Sequence, residues 1–425
     1  MIVLRSANPF LHLFVAFFVF LSSNQFCNAN ETISAPSIQT TGRATNSNYP
    51  LVSPKVLTSV PSKVDIYQYD SSPLGQRQPL LLVHGLLGER HPYFRWKELA
   101  DFLSQDKTCQ QQFKIYLATF NSQSSLKELS KQFNVAIRNL APEGGLTLIA
   151  ISLSGLIVRD AMKNPDVARC INRVLTLGTF FRGSPLFCAD WMRQSIQKNH
   201  LSPFYRLARP LSYKVYFARH KNLQADYAWD NVDGQRPTIT NTKKTRDNEL
   251  ASSTLIPTDP IQLSIDHKFV VYAGYLHNQF FPKRRSGIYS FLISPFTFLK
   301  TTLPAHLGRE HAALRLLNYL IADSIPARGS SKVGYPLNDG IAPITSCLLL
   351  SNDFVAKKLI NDEKPFDQIQ VHSDAKKARL FDNIDHLTFI ERVRPAGSPQ
   401  NITDMLSKTE EARPIFSWIL KDILE

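Results

Sequence analysis

A serine that ends an apolar run carries the clearest chemical signal in this sequence. Ser152 follows Leu-Ile-Ala-Ile at positions 148–151 and leads directly into a helix-like segment. A serine at such a strand-to-helix turn is held strained and exposed at the carboxyl edge of a sheet. Small residues, Ala150 and Ser154, stand two positions away on either side, as the close approach of strand and helix requires. The N–H group of Leu153, at the start of the helix, is placed to stabilise an oxyanion.

The passage around Ser152 resembles the nucleophile elbow of the α/β-hydrolase superfamily, and specifically of its lipase and esterase members of the triacylglycerol lipase type. Those proteins usually read G-x-S-x-G, whereas this chain reads Ala-Ile-Ser-Leu-Ser at positions 150–154. Alanine is nearly as small as glycine, but the second serine adds a Cβ and a hydroxyl. The alternative interpretation of this passage alone is a serine that opens an ordinary helix.

Two other segments resemble parts of lipases that border the nucleophile. Leu-Val-His-Gly-Leu-Leu-Gly at positions 82–88 is similar to the H-G loop after the third lipase strand, and the resemblance makes the N–H of Leu86 a second oxyanion donor. On its own, this segment is a glycine-containing turn between a strand and a helix. Residues 174–186 resemble the strand and loop after the elbow, which usually read G-T-P-x-x-G-S; Phe180 replaces the proline.

A serine hydroxyl needs an imidazole to accept its proton and an acid to orient that imidazole. Asn-Asp-Gly at positions 338–340 resembles the lipase loop that carries the catalytic aspartate, which implies Asp339; on its own it is a D-G turn. Of two later histidines we favour His386, because it follows a short apolar strand and its context at positions 382–387, of the form D/N-x-x-H-L, matches the lipase histidine loop. His372 lies among polar residues and lysines that are typical of a solvated surface. The order Ser152, Asp339, His386 is that of an α/β-hydrolase.

Apolar runs and helix-like segments alternate on both sides of these residues. Strands are predicted at residues 80–83, 113–120, 146–151, 173–177 and 269–273. Helices are predicted at residues 96–103, 125–140, 154–162 and 414–424. Short apolar strands that alternate with helices indicate a parallel sheet covered on both faces. The predicted fold class is α/β, and the resemblance specifies an α/β-hydrolase fold: a mostly parallel sheet with helices on both faces and a large inserted cap, or lid.

The chain divides into an export signal, a leader and a catalytic domain that a cap interrupts. Residues 1–29 are typical of a secretory signal peptide, with Arg5 before an apolar stretch too short to span a bilayer; an uncleaved anchor is the alternative. Residues 30–62 are predicted to form a flexible leader. The remaining predicted segments are 63–187 (core, first part), 188–335 (cap, with a core strand near 268–274) and 336–425 (core, second part).

The 425 residues carry 49 Lys plus Arg against 35 Asp plus Glu, a formal net charge of +14 that favours anionic partners. The basic residues are dispersed and lack the interleaving of a nucleic-acid module, so no nucleic acid is expected. A basic tripeptide at 283–285 precedes an aromatic run, which suits a lid that contacts an anionic membrane or lipid surface. The lid candidates are Phe291, Phe296 and Phe298. The alternative is that these aromatic residues form the cap's own core.

The cysteines and histidines give no metal-binding pattern. Of five cysteines, Cys27 leaves with the predicted signal peptide, and the others permit disulfides or buried free thiols: Cys109, Cys170, Cys188 and Cys347. The sequence has no H-x-x-x-H or H-E-x-x-H spacing and no phosphate-binding loop. Thr388 stands where the resembling bacterial lipases have a calcium-binding aspartate. We therefore expect no metal and no cofactor.

These features predict an exported serine hydrolase that cleaves carboxylic esters, a lipase or esterase that acts on lipid substrates through an acyl-enzyme. The expected partners are a lipid or other ester substrate and an anionic membrane or lipid surface. The predicted localisation is secreted or periplasmic, outside the cytoplasm. Two alternatives stay open: an acyltransferase on the same scaffold, and a catalytically inactive hydrolase-like protein that binds lipid.

Overall fold

The computed structural model describes residues 49–53, 59–86, 88–89, 92–181, 183–187, 226–227, 264–276, 314, 317–318, 338–349, 373–382, 384–390 and 414–425. The predicted signal peptide at residues 1–29 lies outside the described residues, as do His372, Cys188 and the lid candidates Phe291, Phe296 and Phe298. Most of the predicted cap, residues 188–335, lies outside them as well.

A sheet with seven strands forms the centre of the described part of the chain. The strands are β1 Asp65–Gln68, β2 Gln78–Val83, β3 Phe113–Thr119, β4 Leu146–Ile151, β5 Ile171–Leu177, β6 Phe269–Tyr275 and β7 Lys377–Asp382. The described helices are α1 Pro92–Gln105, α2 Lys107–Gln112, α3 Leu126–Leu140, α4 Leu153–Ala161, α5 Pro165–Cys170, α6 Ile344–Cys347 and α7 Pro414–Leu424.

The strands lie in the order β1-β3-β2-β4-β5-β6-β7. β1 pairs with β3 in an antiparallel manner, and the other neighbouring strands pair in parallel. β4 is buried along its whole length, as expected for an apolar run with helices on both sides. The predicted α/β class with a mostly parallel sheet is therefore confirmed. The carboxyl ends of the parallel strands meet at one edge, and ligands usually bind there in α/β folds.

Helices cover both faces of the sheet, as predicted. On one face, α3, α4 and α5 pack apolar side chains such as Phe133 and Ile157 against the strands. On the other face, α1, α2 and α7 contribute residues such as Trp96 and Ile419. Burial of each large apolar side chain stabilises the fold by about 2 kcal/mol. Within the described residues, no helix is both long enough and apolar enough to cross a membrane.

Four short elements, β1, α2, α5 and α6, are missing from the sequence prediction. Two of the helices, α2 and α5, begin at recognisable signals. Asp106 precedes α2, and its Oδ1 accepts the N–H of Cys109 at 2.8 Å. Asn164 precedes α5 and accepts the N–H of Asp166 at 3.0 Å, with Pro165 in the first turn. Side-chain caps and an early proline favour helix initiation, but six-residue helices are too short for a periodic apolar pattern to reveal them.

Residues 49–53, which belong to the predicted leader, run beside β1. The N–H of Val52 donates to the carbonyl of Gln68 at 2.8 Å, and the N–H of Gln68 donates back to this segment at the same distance. Tyr49 packs edge-on against Tyr116, with 5.8 Å between the ring centroids. Backbone pairing and an aromatic contact therefore attach these residues to the edge of the sheet.

Residues 226–227, which belong to the predicted cap, pack against the core. The Oδ2 of Asp226 accepts the N–H of Leu126, the first residue of α3, at 2.8 Å. Tyr227 is buried, and its ring lies 6.0 Å from that of Phe180 and 5.9 Å from that of Phe187, measured between centroids. A helix cap and an aromatic cluster thus join this part of the insertion to the first half of the core.

Three of the four cysteines of the predicted mature chain are buried free thiols: Cys109, Cys170 and Cys347. Burial raises the pKa of Cys109 to about 12, which keeps its thiol protonated at neutral pH. Of the two alternatives that the sequence left open, these residues adopt the free-thiol form.

Candidate active site

Ser152 lies at the turn between β4 and α4. Its backbone dihedral angles are φ 62° and ψ −132°, a combination that a residue other than glycine adopts only under strain. The N–H of Ser152 donates to the carbonyl of Leu177, at the end of β5, at 2.9 Å. This bond anchors the turn to the neighbouring strand. The strained turn presents a serine at the carboxyl edge of the sheet, in the manner of a nucleophile elbow.

The departure from G-x-S-x-G at Ser154 is accommodated by two hydrogen-bond acceptors. Its Oγ lies 2.9 Å from the carbonyl oxygen of Val83, at the end of β2, and 2.7 Å from that of Ile151, at the end of β4. The single hydroxyl proton is shared between the two carbonyls, so the side chain joins two strand ends beside the turn. This role has no local sequence signal, because Val83 lies 71 positions away.

Close packing of α4 is provided by the next residue, Gly155. A Cβ added to Gly155 would stand 2.7 Å from the Cγ2 of Thr179, which follows β5. That distance is shorter than real contacts of a Cβ atom, so any side chain at this position would require Thr179 to move. The glycine that allows the helix to approach the sheet edge is therefore displaced by one position from its place in the family pattern.

The loop after β2 passes directly over Ser152. A Cβ added to Gly85 would stand 2.9 Å from the Cβ of Ser152 and 3.5 Å from its Oγ. Leu86, whose N–H is a predicted oxyanion donor, follows Gly85 and is partly buried. Leu153, the other predicted donor, is the first residue of α4, where a backbone N–H has no acceptor within the helix. Of the two predicted donors, Leu153 thus follows Ser152 directly, and Leu86 belongs to the loop that contacts Ser152.

Asp339 lies fully buried in a tight turn whose next residue, Gly340, has φ 95°. Its Oδ1 accepts the N–H of Ile341 at 2.9 Å and the N–H of Ala342 at 2.7 Å. These two bonds fix the plane of the carboxylate and leave Oδ2 for another donor. The glycine supplies the left-handed backbone that the turn requires, which agrees with the D-G turn predicted here.

His386 is the donor to that second oxygen. Its ring Nδ1 lies 2.7 Å from Asp339 Oδ2, and its backbone N–H donates to the Asp339 carbonyl at 3.0 Å. Because a carboxylate oxygen accepts, Nδ1 holds the proton and Nε2 keeps a free lone pair. The Nε2 atom is buried and has no hydrogen-bond partner among the described residues. A buried polar atom without a partner is uncommon in folded proteins.

The end of β5 brings Ser152 and the Asp339–His386 pair to one place. Leu177, the last residue of β5, accepts the N–H of Ser152. The next residue, Gly178, lies against the pair: an added Cβ would stand 2.8 Å from Asp339 Oδ2 and 2.9 Å from His386 Nδ1. Two consecutive residues at one strand end therefore contact both parts of the candidate site.

A buried pair of asparagines supports the loop of the acid, and sequence reasoning missed it. Asn318 Nδ2 donates to the Asn338 carbonyl at 2.6 Å, and Asn338 Nδ2 donates to the Asn318 carbonyl at 3.2 Å. The Oδ1 of Asn338 accepts the N–H of Gly340 at 2.9 Å. The sequence placed Asn318 in the cap, and nothing in the local pattern indicates that it contacts the residue before Asp339.

The loop after β5 is tied to the segment that follows Asp339. The N–H of Phe181 donates to the Ser346 carbonyl at 2.8 Å, and the Oγ of Ser346 donates to the Gly183 carbonyl at 2.8 Å. Phe180, which replaces the proline of the family pattern, is fully buried, and its ring centroid lies 5.4 Å from that of Phe187. The Phe180 ring therefore packs in an aromatic cluster, and a proline side chain would be too small to take its place.

Thr388 lies beside the candidate base, at the position where the resembling lipases have a calcium-binding aspartate. Its Oγ1 donates to Asp385 Oδ1 at 2.8 Å, and its N–H donates to the same atom at 3.0 Å. The threonine therefore caps a turn formed by its own neighbours. Within the described residues, no group of three or more His, Cys, Asp or Glu side chains is arranged to hold a metal ion.

A mostly parallel sheet covered on both faces, with a strained serine at the turn after β4, defines the architecture of an α/β-hydrolase. No protein-family model matches the chain. No curated protein matches it either.

Several solved structures are similar to the chain at low identity. The lipase BlEst2 of Bacillus licheniformis, in mature form, is 14% identical, with a TM-score of 0.36 over 82% of this chain and 98% of that one. The carboxylesterase CesB of Bacillus subtilis is 12% identical, with a TM-score of 0.33 over 84% and 91%. An esterase of Thermogutta terrifontis is 11% identical, with a TM-score of 0.33 over 84% and 97%. The sheet order and the strained turn at Ser152 are features of this chain itself and define its fold.

Proposed function

We propose that this chain is a serine hydrolase that cleaves carboxylic esters through an acyl-enzyme. The observation that carries the proposal is the His386–Asp339 pair, whose Nδ1–Oδ2 distance is 2.7 Å and whose remaining ring nitrogen is buried without a partner among the described residues. An imidazole held in this way has its free nitrogen available as a general base. Ser152, joined through Leu177 and Gly178 to the same strand end, is the proposed nucleophile.

The proposed reaction begins with proton transfer from Ser152 Oγ to His386 Nε2 as Oγ attacks the ester carbonyl carbon. The new C–O bond gives a tetrahedral oxyanion, which the N–H groups of Leu86 and Leu153 stabilise. When this intermediate collapses, the alcohol departs with the proton of His386. Water then attacks the acyl-enzyme with the help of the same imidazole, and the carboxylic acid is released. Throughout, Asp339 orients the ring and stabilises its protonated form.

A fluorophosphonate probe tests the proposal directly, because such a probe labels only a serine that is activated as a nucleophile. We expect the wild-type chain to be labelled and Ser152→Ala to be neither labelled nor active on p-nitrophenyl esters. Ser104→Ala is the matched control, since Ser104 lies on α1 and only caps the Asp101 carbonyl, at 3.0 Å. A wild-type chain that resists the probe would support the alternative of an inactive lipid-binding protein.

Hydrolysis rather than acyl transfer is a separate part of the proposal. The acyl-enzyme accepts either water or an alcohol, and the same described residues serve both reactions. Product analysis with added glycerol, sterol or lysolipid distinguishes them. We expect free fatty acid as the main product in every mixture; predominant formation of a new ester would identify an acyltransferase.

A lipid substrate and an interfacial lid are proposed from the sequence, because the lid candidates Phe291, Phe296 and Phe298 lie outside the described residues. Phe296→Ser combined with Phe298→Ser should reduce turnover of emulsified triacylglycerol more than turnover of a soluble short-chain ester. An equal loss on both substrates would contradict the lid.

Export is proposed from residues 1–29 alone. Amino-terminal sequencing of the protein that an expressing cell releases should begin at or near Asn30. Retention of the full-length chain in the cell membrane would favour the uncleaved anchor instead.

A further inference from the structure

His84 is a buried imidazole beside the candidate site that the proposed reaction does not use. It follows β2 directly and is 1% exposed. Its ring stacks on Phe120, with 4.2 Å between centroids and 6° between planes. On another side it contacts the bare Cα of Gly88, where an added Cβ would stand 2.7 Å from ring atoms Cγ and Nδ1. The ring is thus held in one orientation by its surroundings.

The two ring nitrogens of His84 have different partners, which determine its tautomer. The backbone N–H of Phe120 donates to Nε2 at 3.3 Å. A backbone N–H group can only donate, so Nε2 must be the unprotonated nitrogen. A neutral imidazole then holds its proton on Nδ1, which lies 2.7 Å from the carbonyl oxygen of Gly85. His84 therefore donates to Gly85 and accepts from Phe120.

Burial favours the neutral ring that this pattern requires. It lowers the pKa of His84 to about 4; the hydrogen bond with the Gly85 carbonyl opposes this change, and the positive charge of Arg95 adds to it. At neutral pH the ring is uncharged, and both hydrogen bonds are available at once.

The hydrogen bond to Gly85 fixes the direction of the following peptide group. The Gly85 carbonyl and the Leu86 N–H belong to one trans peptide unit, so they point in opposite directions. The carbonyl also accepts the N–H of Gly88 at 3.3 Å. With its oxygen held on the side of His84 and Gly88, the peptide must direct its N–H to the other side. The same Gly85 approaches Ser152, with an added Cβ 3.5 Å from Oγ.

We propose that His84 is a positioning residue: it holds the Gly85–Leu86 peptide in the orientation that offers the Leu86 N–H to the oxyanion. This inference deepens the proposed function and rests on it. His84 touches neither substrate nor nucleophile in this role, and it acts only through the peptide group that it binds. It also gives a reason for an imidazole at this position, since a donor at Nδ1 and an acceptor at Nε2 are needed together.

Two substitutions separate the two hydrogen bonds. In His84→Asn, the side-chain amide still offers a donor at the place of Nδ1. In His84→Gln, the amide oxygen still offers an acceptor near the place of Nε2, but the donor to Gly85 is lost. We expect kcat to fall by roughly 10- to 100-fold in the Gln variant with little change in KM, and by less than about fivefold in the Asn variant, because removal of one oxyanion donor lowers kcat by about 100- to 1,000-fold.

The affinity for an aryl trifluoromethyl ketone distinguishes a positioning role of His84 from a purely structural one. If His84 only stabilised the fold, its substitution would leave this affinity unchanged in the folded protein. Ser152 converts this inhibitor to a hemiketal oxyanion, so its affinity reports stabilisation of the oxyanion. Across wild type, Asn and Gln variants, inhibitor affinity should fall in parallel with kcat/KM. If the Gln variant keeps its affinity for the ketone, or if the Asn and Gln variants lose activity equally and in step with their Tm, His84 has no positioning role.

Failure of the proposed function gives a different result from failure of this inference. If wild type neither reacts with the fluorophosphonate nor hydrolyses esters, the proposed function is wrong, and the positioning role falls with it. If wild type reacts and the variants behave as wild type, only the role of His84 is wrong. The nitrogen NMR shifts of the His84 ring provide an independent measurement: we expect the proton on Nδ1, and a proton on Nε2 would overturn the inference whatever the activity.

Discussion

Gly178 lies so close to His386 that a Cβ added to it would stand 2.9 Å from ring atom Nδ1. The same Cβ would stand 2.8 Å from Asp339 Oδ2, so it would intrude at the point where the two side chains meet. The hydrogen bond between acid and base is therefore formed in space that exists only because position 178 has no side chain. Gly178 follows Leu177, whose carbonyl accepts the Ser152 N–H, so this contact lies one residue away from the bond that anchors the turn at Ser152.

We predict that Gly178→Ala lowers kcat by at least about 100-fold, because a shift of about 1 Å in a catalytic group has an effect of that size. The methyl group must displace either the His386 ring or the Asp339 carboxylate. Steady-state kinetics on a soluble ester would measure the loss, and KM should change little because Gly178 contacts the pair rather than the substrate.

Gly75→Ala is a closely matched control for this substitution. Gly75 has φ 57°, against 58° for Gly178, but nothing lies within 4 Å of its added Cβ. Both variants therefore have the same backbone strain, of about 1 kcal/mol, and only one has the collision. Similar activity losses in both would show that the strain, and not the contact with His386, is responsible.

Replacement of the acid should affect the tautomer of the base more than the structure of its loop. In Asp339→Asn, the amide oxygen can still accept the two N–H groups that Oδ1 now accepts, but the NH2 group then faces His386 Nδ1. That contact favours the tautomer with its proton on Nε2, which cannot act as a base. We expect kcat to fall by about 10⁴-fold with Tm nearly unchanged.

Asp385→Asn provides the comparison for that variant. Asp385 is also buried and precedes His386, and its Oδ1 accepts the N–H groups of Leu387 and Thr388. Its Oδ1 thus binds backbone N–H groups of the turn, whereas the ring Nδ1 of His386 binds Asp339, so we expect activity within about tenfold of wild type on the scale of mutational effects away from a reacting group. Loss of activity in Asp385→Asn as large as in Asp339→Asn would remove the special role of Asp339.

For Ser154, which departs from the family pattern, we predict that a change toward that pattern is harmful. Ser154→Gly restores G at the last position of G-x-S-x-G, yet it should lower both stability and kcat. The substitution removes a hydroxyl that joins the carbonyls of Val83 and Ile151, and the loss of such a buried bond costs about 1–2 kcal/mol. Ser154→Ala separates the lost hydroxyl from the added flexibility of glycine and should show a similar loss of kcat. A Ser154→Gly variant more active than wild type would show that the hydrogen bonds of Ser154 do not support activity.

The residues with local patterns could be predicted from the sequence. Ser152 ends a continuous apolar strand, Asp339 precedes a glycine, and His386 follows a short strand in a recognisable context. The structure brings Asp339 and His386 into contact and places Ser152 at the adjoining strand end. The α/β class could also be predicted, because buried parallel strands require continuous apolar runs, and such runs are visible without any knowledge of their partners.

The supporting contacts could not be predicted, because their partners are distant in the chain. The sequence indicates only that the Ser154 side chain is small, whereas the structure shows its hydroxyl bonded to a strand end 71 positions earlier. In the sequence, His84 is recognisable only as the histidine of the H-G loop motif. Its hydrogen bond from the Phe120 N–H and its stacking on the Phe120 ring depend on a residue 36 positions later in the chain. Both Ser154 and His84 form hydrogen bonds with buried backbone groups. The need of those groups for a partner arises only in the folded protein, so no local sequence pattern reveals it.

The carboxyl-terminal helix, α7, supplies a buried acid, Asp422, to the basic residues Lys377 and Arg379 of β7. Asp422 is 1% exposed. Its Oδ2 accepts from Arg379 Nε at 2.5 Å and its Oδ1 from Arg379 Nη2 at 2.6 Å. The Tyr272 hydroxyl also donates a hydrogen bond to Oδ2, and Lys377 Nζ donates to Oδ1 at 3.4 Å. The guanidinium of Arg379 lies in turn over the ring of Trp418, at 3.9 Å from its centroid. These contacts attach α7 to β6 and β7.

We predict that Asp422→Asn destabilises the fold by about 3 kcal/mol at pH 7, because loss of one partner leaves the other charges of a buried pair uncompensated. The difference should depend on pH. Burial tends to raise the pKa of Asp422, but the hydrogen bonds from Arg379 and Tyr272 and the nearby positive charges lower it overall. A folded-state pKa below the unfolded value, which is about 3.9, gives stability that is complete above that value and is lost as the pH falls through the folded pKa.

Urea unfolding of wild type and Asp422→Asn between pH 7 and pH 3 tests both parts of this prediction. The difference in unfolding free energy should be constant down to about pH 4.5 and shrink below it. Below that pH, Asp422 binds a proton more readily in the unfolded chain than in the folded wild type, and the Asn variant has no such titrating group. Asp166→Asn is the control: its pair with Arg169 is exposed on both sides, so its removal should change stability by less than about 1 kcal/mol. An Asp422→Asn variant as stable as wild type at pH 7 would mean that α7 is held by its apolar face alone, through residues such as Ile419.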